Sequence, residues 1–224
     1  MADTTSHVID VRFPTHVEKT DRVVEVAESF GIGLSDGEFV IYDGYKIDLR
    51  QGERVYITGQ SGSGKSLLLR ELARDLKAQG KKVSNLDDIE LRDEPIIEQV
   101  GKNMNEATGY LTRAGISDAY LYVRKPSELS DGQRYRVRLA KILESGADVW
   151  VADEFGAVLD RVTAKAVAKG MATTAMFEGA TLIVATTHLD LKTELGATIT
   201  VTKHYSDRIN VDSIPDAKPR SSSE

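Results

Sequence analysis

The chain has 224 residues, enough for one well-packed domain or for a domain with a small subdomain. Its hydrophobic fraction of 41% and charged fraction of 29% are typical of a globular protein and exclude a fibrous or fully disordered chain. The net charge of −6 argues against a protein that coats nucleic acid, although a local basic patch stays compatible with it. The absence of cysteine excludes a disulfide framework, a thiolate zinc site and a thiol nucleophile.

The hydropathy pattern predicts no membrane insertion. No run of residues approaches the 18 consecutive apolar positions expected of a membrane-spanning helix. The first ten residues contain acidic side chains and no apolar segment, so they do not resemble a signal peptide. We therefore expect a cytoplasmic protein, and if it serves in transport, another chain must supply the channel.

The N-terminal region is predicted to combine strands with one short helix. Residues 1–20 mix polar and β-branched residues, which favours a strand after a loose tail. Apolar residues at helical spacing over 23–30 predict a helix that ends at Gly31. Two apolar runs, 39–42 and 45–49, flank an Asp-Gly dipeptide at 43–44, and this arrangement predicts a β-hairpin.

A glycine-rich loop follows the next apolar strand. The strand is predicted over 54–58, and apolar residues at helical spacing over 67–76 predict a helix after the loop. The loop fits the pattern G-x-x-x-x-G-K-[ST] at every fixed position, with the residues Gly59, Gln60, Ser61, Gly62, Ser63, Gly64, Lys65 and Ser66. Backbone N–H groups and the helix N-terminus can hold phosphate oxygens there. Lys65 can reach the β- and γ-phosphates, and Ser66 can ligate Mg²⁺.

The rest of the chain predicts an α/β domain. Residues 85–128 carry many charges and helical periodicity, which indicates a small helical subdomain. A short strand is predicted at 81–84. Two buried parallel strands are predicted from short β-branched runs at 148–152 and 181–185, with an alanine-rich helix at 160–177 between them. Closing strands are predicted at 197–201 and 208–211. We expect one domain over residues 1–212 and a disordered tail over 213–224.

Three further features lie downstream of the glycine-rich loop. The first is the run Leu-Ser-Asp-Gly-Gln at 129–133, directly before a basic helical segment. The second is the pair Asp153 and Glu154, which ends an apolar strand, and the third is His188, just past another buried strand. Ligands of α/β sheets bind at the carboxyl ends of the strands. Asp153, Glu154 and His188 should therefore converge on the edge that carries the glycine-rich loop.

Together these motifs resemble those of the ABC-type ATPases, over roughly residues 38–205. Residues 129–133 are similar to the family's signature motif, and Asp153 with Glu154 to its Walker B pair. Residues 158–160 are similar to its D-loop, and His188 to its switch histidine. The resemblance implies an α/β P-loop NTPase fold of ABC type, with a small helical subdomain and an N-terminal antiparallel β region.

The resemblance also implies roles for these residues and ATP with Mg²⁺ as the bound species. Ser66 and Asp153 would hold the metal, Glu154 would act as general base, and His188 would contact the γ-phosphate. Lys65 would be part of the same catalytic group. The signature residues would bind the nucleotide of a second subunit in a head-to-tail homodimer that forms on MgATP, through Ser130, Gly132 and Gln133.

The chain departs from the family pattern at several positions. Asp131 replaces a signature glycine, and we expect its side chain to turn outward and cap the following helix. The family's Q-loop glutamine has two candidate positions, Gln99 and Asn85. The family places an aromatic residue upstream of the P-loop against adenine, and Phe39 or Tyr42 could fill that role, with Tyr45 assigned to the hairpin.

The sequence leaves the process open. We expect an ATP hydrolase that drives an unidentified protein partner in a nucleic-acid-processing or modifying system. The alternative is the nucleotide-binding subunit of a membrane transporter, and a third hypothesis is an ATP-sensing switch without turnover. The amino-acid sequence, including the stretch at residues 30–34, is loosely similar to that of ABC domains joined to GNAT-type acetyltransferases.

Overall fold

The computed structural model describes residues 4–204 and 209–213. The strands are β1 Thr4–Thr15, β2 Gly37–Arg50, β3 Arg54–Gly59, β4 Val83–Asn85, β5 Val149–Ala152, β6 Thr181–Thr186, β7 Ile199–Lys203 and β8 Ile209–Ser213. The helices are α1 Asp21–Phe30, α2 Lys65–Ala78, α3 Met104–Arg113, α4 Ala119–Tyr122, α5 Asp131–Glu144 and α6 Arg161–Glu178. Short 3₁₀ turns lie at Leu86–Asp88, Ile96–Glu98 and Pro126–Glu128. The tail predicted over 213–224 lies outside the described residues except for Ser213, which ends β8.

The larger sheet positions the functional loops. Its six strands lie in the order β4-β5-β6-β3-β7-β8, with the first five parallel and β8 antiparallel to β7. Strands β5 and β6 are buried along their whole length, as their continuous apolar runs predicted. The carboxyl ends of β3, β5 and β6 therefore meet at one edge of the sheet.

Alternate side chains of the central strands enter two different cores. Tyr56, Trp150 and Leu182 face the side covered by α3, α5 and α6. The residues next to them, which include Ile57 and Val151, face α2 and the N-terminal strands. The sheet is thus covered on both faces, which is the arrangement that parallel strands require. The helical segment over 86–128 shares the first of these cores.

The N-terminal strands correct the hairpin prediction. β2 runs without interruption from Gly37 to Arg50, and β1 pairs with it antiparallel from Thr4↔Arg50 to Thr15↔Gly37. Gly44 has φ +59° and lies where the register between the two strands shifts. The Asp-Gly dipeptide therefore forms a bulge rather than a turn, because β1 offers β2 a partner along its full length. Residues 43–44 gave no local sign of that distant partner.

Helices α1 and α6 follow their sequence patterns. Helix α1 ends as predicted at Gly31, which has φ +64°, and Ile32 N–H donates to the carbonyl of Ala27 over 2.9 Å. Helix α6 has 18 residues and buries small side chains, among them Ala164 and Ala168, against the sheet side. Within residues 4–204 and 209–213, no helix combines the length and the apolar character needed to cross a membrane.

Candidate functional site

The glycine-rich loop joins β3 to α2 and needs its glycines for backbone reasons. Gly59, Gly62 and Gly64 have φ values of +145°, +74° and +99°, a region that side chains disfavour. A Cβ at Gly59 would lie 2.0 Å from the carbonyl oxygen of Lys203, and one at Gly64 would lie 2.7 Å from Ile41 Cγ2. The loop can therefore turn tightly and aim its N–H groups inward only with glycine at these positions.

Tyr42 of β2 supports the glycine-rich loop through a hydrogen bond. Its hydroxyl donates to the carbonyl of Gly64 over 3.0 Å, and the Lys203 ammonium lies 5.2 Å from the centre of its ring. Tyr42 is only 1% exposed, and this burial raises the pKa of its hydroxyl. Tyr42 therefore does not offer a face for adenine, contrary to one of the two predicted alternatives. Phe39, at 57% exposed, keeps an accessible ring.

Lys65 is the first residue of α2 and lies buried inside the loop. Its ammonium donates to the carbonyl of Gln60 over 2.7 Å. Burial lowers the pKa of Lys65, while the nearby charges of Asp153 and Glu154 act to raise it. The predicted lysine and the two predicted carboxylates thus lie within electrostatic reach of one another. Among the residues that the structure describes, none forms a hydrogen bond with the buried Ser63 hydroxyl, so the loop holds a polar atom that a ligand oxygen can satisfy.

Glu154 begins a strained turn at the end of β5. It is the one non-glycine residue in the described chain with a positive φ, +46°. Such strain persists where the surroundings over-determine the backbone, and it concentrates at functional sites. Three hydrogen bonds fix the turn: Glu154 N–H to Asp153 Oδ1 (2.9 Å), Phe155 N–H to the Ala185 carbonyl (2.9 Å) and Gly156 N–H to the Tyr135 hydroxyl (3.0 Å).

His188 is held to the same turn through Thr186. The Thr186 hydroxyl donates to the carbonyl of Phe155 over 3.0 Å and accepts from the His188 N–H over 3.2 Å. The hydroxyl of the buried Tyr56, on β3, donates to the His188 carbonyl. Burial raises the pKa of Tyr56 to about 12, so this donor stays protonated at neutral pH. The structure therefore brings Glu154 and His188 to one edge, as the sequence predicted.

The signature segment forms the start of α5. Ser130 is the N-cap: its hydroxyl accepts from Gln133 N–H over 3.3 Å, and Gln133 Oε1 accepts from Ser130 N–H over 2.9 Å. This reciprocal pair is a capping box. The prediction that Asp131 caps the helix is wrong, because Ser130 has the extended backbone that a cap needs. The Asp131 side chain does turn outward, at 81% exposed, and pairs with Arg134.

The signature segment also packs against the residues that follow Glu154. A Cβ on Gly132 would lie 3.2 Å from the carbonyl oxygen of Val158. Tyr135, one turn further along α5, makes an edge-to-face contact with Phe155 at 6.4 Å and accepts the hydrogen bond of Gly156. Helix α5 therefore supports the turn that carries Glu154.

The structure separates the two candidate Q-loop positions. Gln99 is buried, and its side chain accepts from Arg92 N–H and donates to the carbonyls of Arg92 and Glu94 over 2.6–2.9 Å. It braces a loop. Asn85 ends β4 and pairs with Val151 of the strand that leads to the carboxylates. Asn85 is therefore the candidate that lies at the functional edge.

One carboxylate near the site escaped the sequence analysis. Burial raises the pKa of Asp87, and the next largest cause is the charge of Asp153. Its N–H donates to Asn85 Oδ1 over 3.3 Å, so it lies just past the carboxyl end of β4. The available signal was its place three residues after the short strand predicted at 81–84, which joins the same parallel sheet.

Comparison with known proteins identifies the family. The sequence model described as ABC transporter matches residues 42–105. The lipoprotein-releasing system ATP-binding protein LolD of Maricaulis maris is 30% identical over 191 residues, which cover 69% of this chain and 82% of that protein. This chain belongs to the ABC-type ATPases. It is accordingly an ATP hydrolase.

A second relative and a solved structure support the assignment of this ATPase to the family. The aliphatic sulfonates import ATP-binding protein SsuB 2 of Mesorhizobium japonicum is 36% identical over 157 residues, and the chain spans 60% of its length. A solved dimeric ATP-binding cassette in a post-hydrolysis state, bound to ADP and phosphate, superposes with a TM-score of 0.65 at 17% identity. That match covers 92% of this chain and 98% of the other, and it confirms the predicted ABC-type α/β fold.

Proposed function

We propose that this ABC ATPase is the ATP-hydrolysing subunit of a membrane transport complex. The observation that carries the transport role is the similarity to LolD along most of that protein's length, supported by the similarity to SsuB 2. Both are named as ATP-binding proteins of systems that release or import a cargo. These relatives favour the transporter alternative over the nucleic-acid system expected from the sequence.

The glycine-rich loop is the proposed phosphate site. The positive φ values at Gly59, Gly62 and Gly64 let its N–H groups line a cradle, and the unpartnered Ser63 hydroxyl lies within it. Lys65 would exchange the carbonyl of Gln60 for the β- and γ-phosphates. Anionic phosphate oxygens stabilise its buried ammonium more than a neutral carbonyl does. The remaining loop residues, assigned with it to phosphate binding, are Gln60, Ser61 and Ser66.

Ser66 and Asp153 are the proposed protein ligands of Mg²⁺. Within the described residues, no group of three or more His, Asp or Glu side chains is arranged to hold a metal. A hydroxyl and a carboxylate supply the oxygen ligands that Mg²⁺ prefers, and the ion commonly takes one or two of them from the protein together with substrate phosphates and water. When bound, the ion would neutralise charge that develops on the phosphate oxygens.

Glu154 and His188 are proposed to act on the attacking water and the terminal phosphate. Glu154 would accept the proton of the water, and its fixed turn would hold the carboxylate in place without rearrangement. His188 would contact the γ-phosphate from the neighbouring strand end. The hydrogen bond from the Thr186 hydroxyl to the Phe155 carbonyl joins the two segments.

The second half of the site is proposed to come from another copy of the chain. Ser130, Gly132 and Gln133 open α5, whose N-terminus can receive an anion. In a head-to-tail homodimer, this end would close on the γ-phosphate of the partner subunit. The ion pair between Asp131 and Arg134 would partly offset the repulsion between the Asp131 carboxylate and that phosphate.

The transport role is tested by finding what copurifies with the ATPase. A tagged chain carrying Glu154→Gln is isolated from its own host after detergent extraction of membranes, with MgATP present throughout. We expect a protein with several membrane-spanning segments in a fixed ratio to the ATPase, and its loss when Lys65→Ala replaces the Glu154 variant. Recovery only from the membrane-free fraction, together with ATP hydrolysis that rises on addition of DNA or RNA at low salt, would refute the proposal.

A further inference from the structure

A contact between Arg161 and His188 defines how the histidine is protonated. Arg161 is the first residue of α6, and its Nη1 lies 2.8 Å from Nδ1 of His188. A guanidinium has five N–H donors and no acceptor. The hydrogen bond therefore requires that Nδ1 of His188 accepts through its lone pair. A neutral imidazole whose Nδ1 accepts carries its hydrogen on Nε2.

Arg161 is itself held in place from the opposite side. Its Nη2 forms an ion pair with Asp190, and Lys165 Nζ lies 3.6 Å from the other oxygen of that carboxylate. A cation in the first turn of α6 opposes the helix dipole, so the helix alone gives no reason for arginine there. The ion pair and the contact with His188 supply that reason.

The His188 backbone is fixed independently of its ring. Thr186 accepts from its N–H and Tyr56 donates to its carbonyl. With the backbone held by these two residues and Nδ1 held by Arg161, the ring is oriented at both ends. Within the part of the chain that the structure describes, Nε2 is the ring nitrogen of His188 left to meet a ligand.

We propose that Arg161 is a positioning residue that keeps His188 in the Nε2–H form, so that the ring donates a hydrogen bond to the terminal phosphate of ATP. This rests on the proposed function, which places His188 at that phosphate. In this form His188 has no lone pair on Nε2 and does not accept a proton from the attacking water. Proton acceptance is then left to Glu154.

The opposite tautomer explains why the contact matters. If Nδ1 carried the hydrogen, it would face the N–H groups of Arg161, and the Nε2 lone pair would face the phosphate oxygens. Both contacts would be repulsive. Replacing Arg161 by an apolar residue of similar length removes the constraint and lets both forms populate.

The tautomer is measured directly by nuclear magnetic resonance. The chain contains four histidines, so uniform ¹⁵N labelling of histidine gives few ring signals, and His188→Gln assigns the one of interest. His7 is an internal reference, because its Nδ1 faces the carboxylate of Asp75 at 2.6 Å and so plays the opposite role. We expect the Nε2–H pattern for His188 in the wild type and an averaged pattern in Arg161→Met.

Hydrolysis gives the second readout. We expect Arg161→Met to lower kcat at least fivefold and Arg161→Lys, which restores a cationic donor, to recover most of that loss. Lys165→Met is the matched control, since it removes a cation from the same Asp190 cluster without touching His188. Circular dichroism confirms that each variant is folded.

The outcomes separate this inference from the proposed function. An Nδ1–H or doubly protonated His188 in the wild type overturns the inference, as does an unchanged tautomer in folded Arg161→Met. Equal loss of kcat in Arg161→Met and Lys165→Met also overturns it, because a general loss of local charge would then explain the effect. A wild type that shows the Nε2–H form yet fails to copurify with a membrane partner would refute only the transport role.

Discussion

The hydrogen bond between Tyr135 and Gly156 offers a quantitative test of how α5 supports the turn that carries Glu154. Tyr135→Phe removes the acceptor of the Gly156 N–H, 3.0 Å away, and leaves the ring available for its edge-to-face contact with Phe155. Gly156 is buried, so water does not readily replace the lost acceptor. A buried donor left without a partner costs about 1–3 kcal/mol. We therefore expect the free energy of unfolding to fall by about 1–2 kcal/mol.

The assay is urea denaturation of nucleotide-free protein, followed by fluorescence and circular dichroism. The same variant is expected to lower kcat for ATP hydrolysis, because the loosened turn carries Glu154 two residues earlier. Tyr110→Phe is the matched control, since the Tyr110 ring contacts Arg113 on α3, a different helix from the one that supports the turn. An unfolding free energy within about 0.3 kcal/mol of the wild type, together with unchanged kcat, would show that this hydrogen bond does not support the turn.

Three further changes have outcomes set by the structure. Gly101→Ala should lower the free energy of unfolding by at least ~2 kcal/mol, since Gly101 has φ +71° and a Cβ would lie 2.5 Å from the α3 backbone. Gly33→Ala is the control and should change the free energy of unfolding by less than about 0.5 kcal/mol. Equal urea midpoints for the two variants would contradict this expectation. Tyr42→Phe should weaken ATP binding severalfold in titration calorimetry because it removes the hydroxyl that ties β2 to the loop at the Gly64 carbonyl, and unchanged affinity would count against that support. Asp87→Asn should raise the melting temperature of metal-free protein at pH 7 and converge with the wild type near pH 3. Because folding raises the pKa of Asp87 above its ordinary 3.8, the charged form disfavours the fold above the folded pKa, and both states are protonated well below 3.8; no gain at pH 7 would contradict this.

Local pattern was enough for the parts of the site that depend on neighbouring residues. The glycine-rich loop, its strand and its helix are contiguous, so composition and spacing determined them together. Buried parallel strands are also recognisable in the sequence as short β-branched runs. Their carboxyl ends lie at the same edge of the sheet because the strands are parallel. Asp153, Glu154 and His188 were placed correctly at that edge for this reason.

What the sequence could not supply were contacts between distant segments. The Asp-Gly dipeptide at 43–44 favours a turn until β1 provides a partner across it. Gln99 matched the Q-loop glutamine by residue type and by its distance along the chain. Its side chain, however, forms hydrogen bonds with the backbone of Arg92 and Glu94. Arg161 is separated from His188 by 27 residues, and no periodicity links the two.

We propose that ATP joins two copies of this ATPase and that Glu154 then removes the proton of the attacking water. Both parts are tested by the molar mass of Glu154→Gln in light scattering, with and without saturating MgATP. We expect a monomer without nucleotide and a stable dimer with MgATP, because the variant should bind ATP without hydrolysing it. A variant that stays monomeric at saturating MgATP would contradict closure of the signature segment on a second subunit.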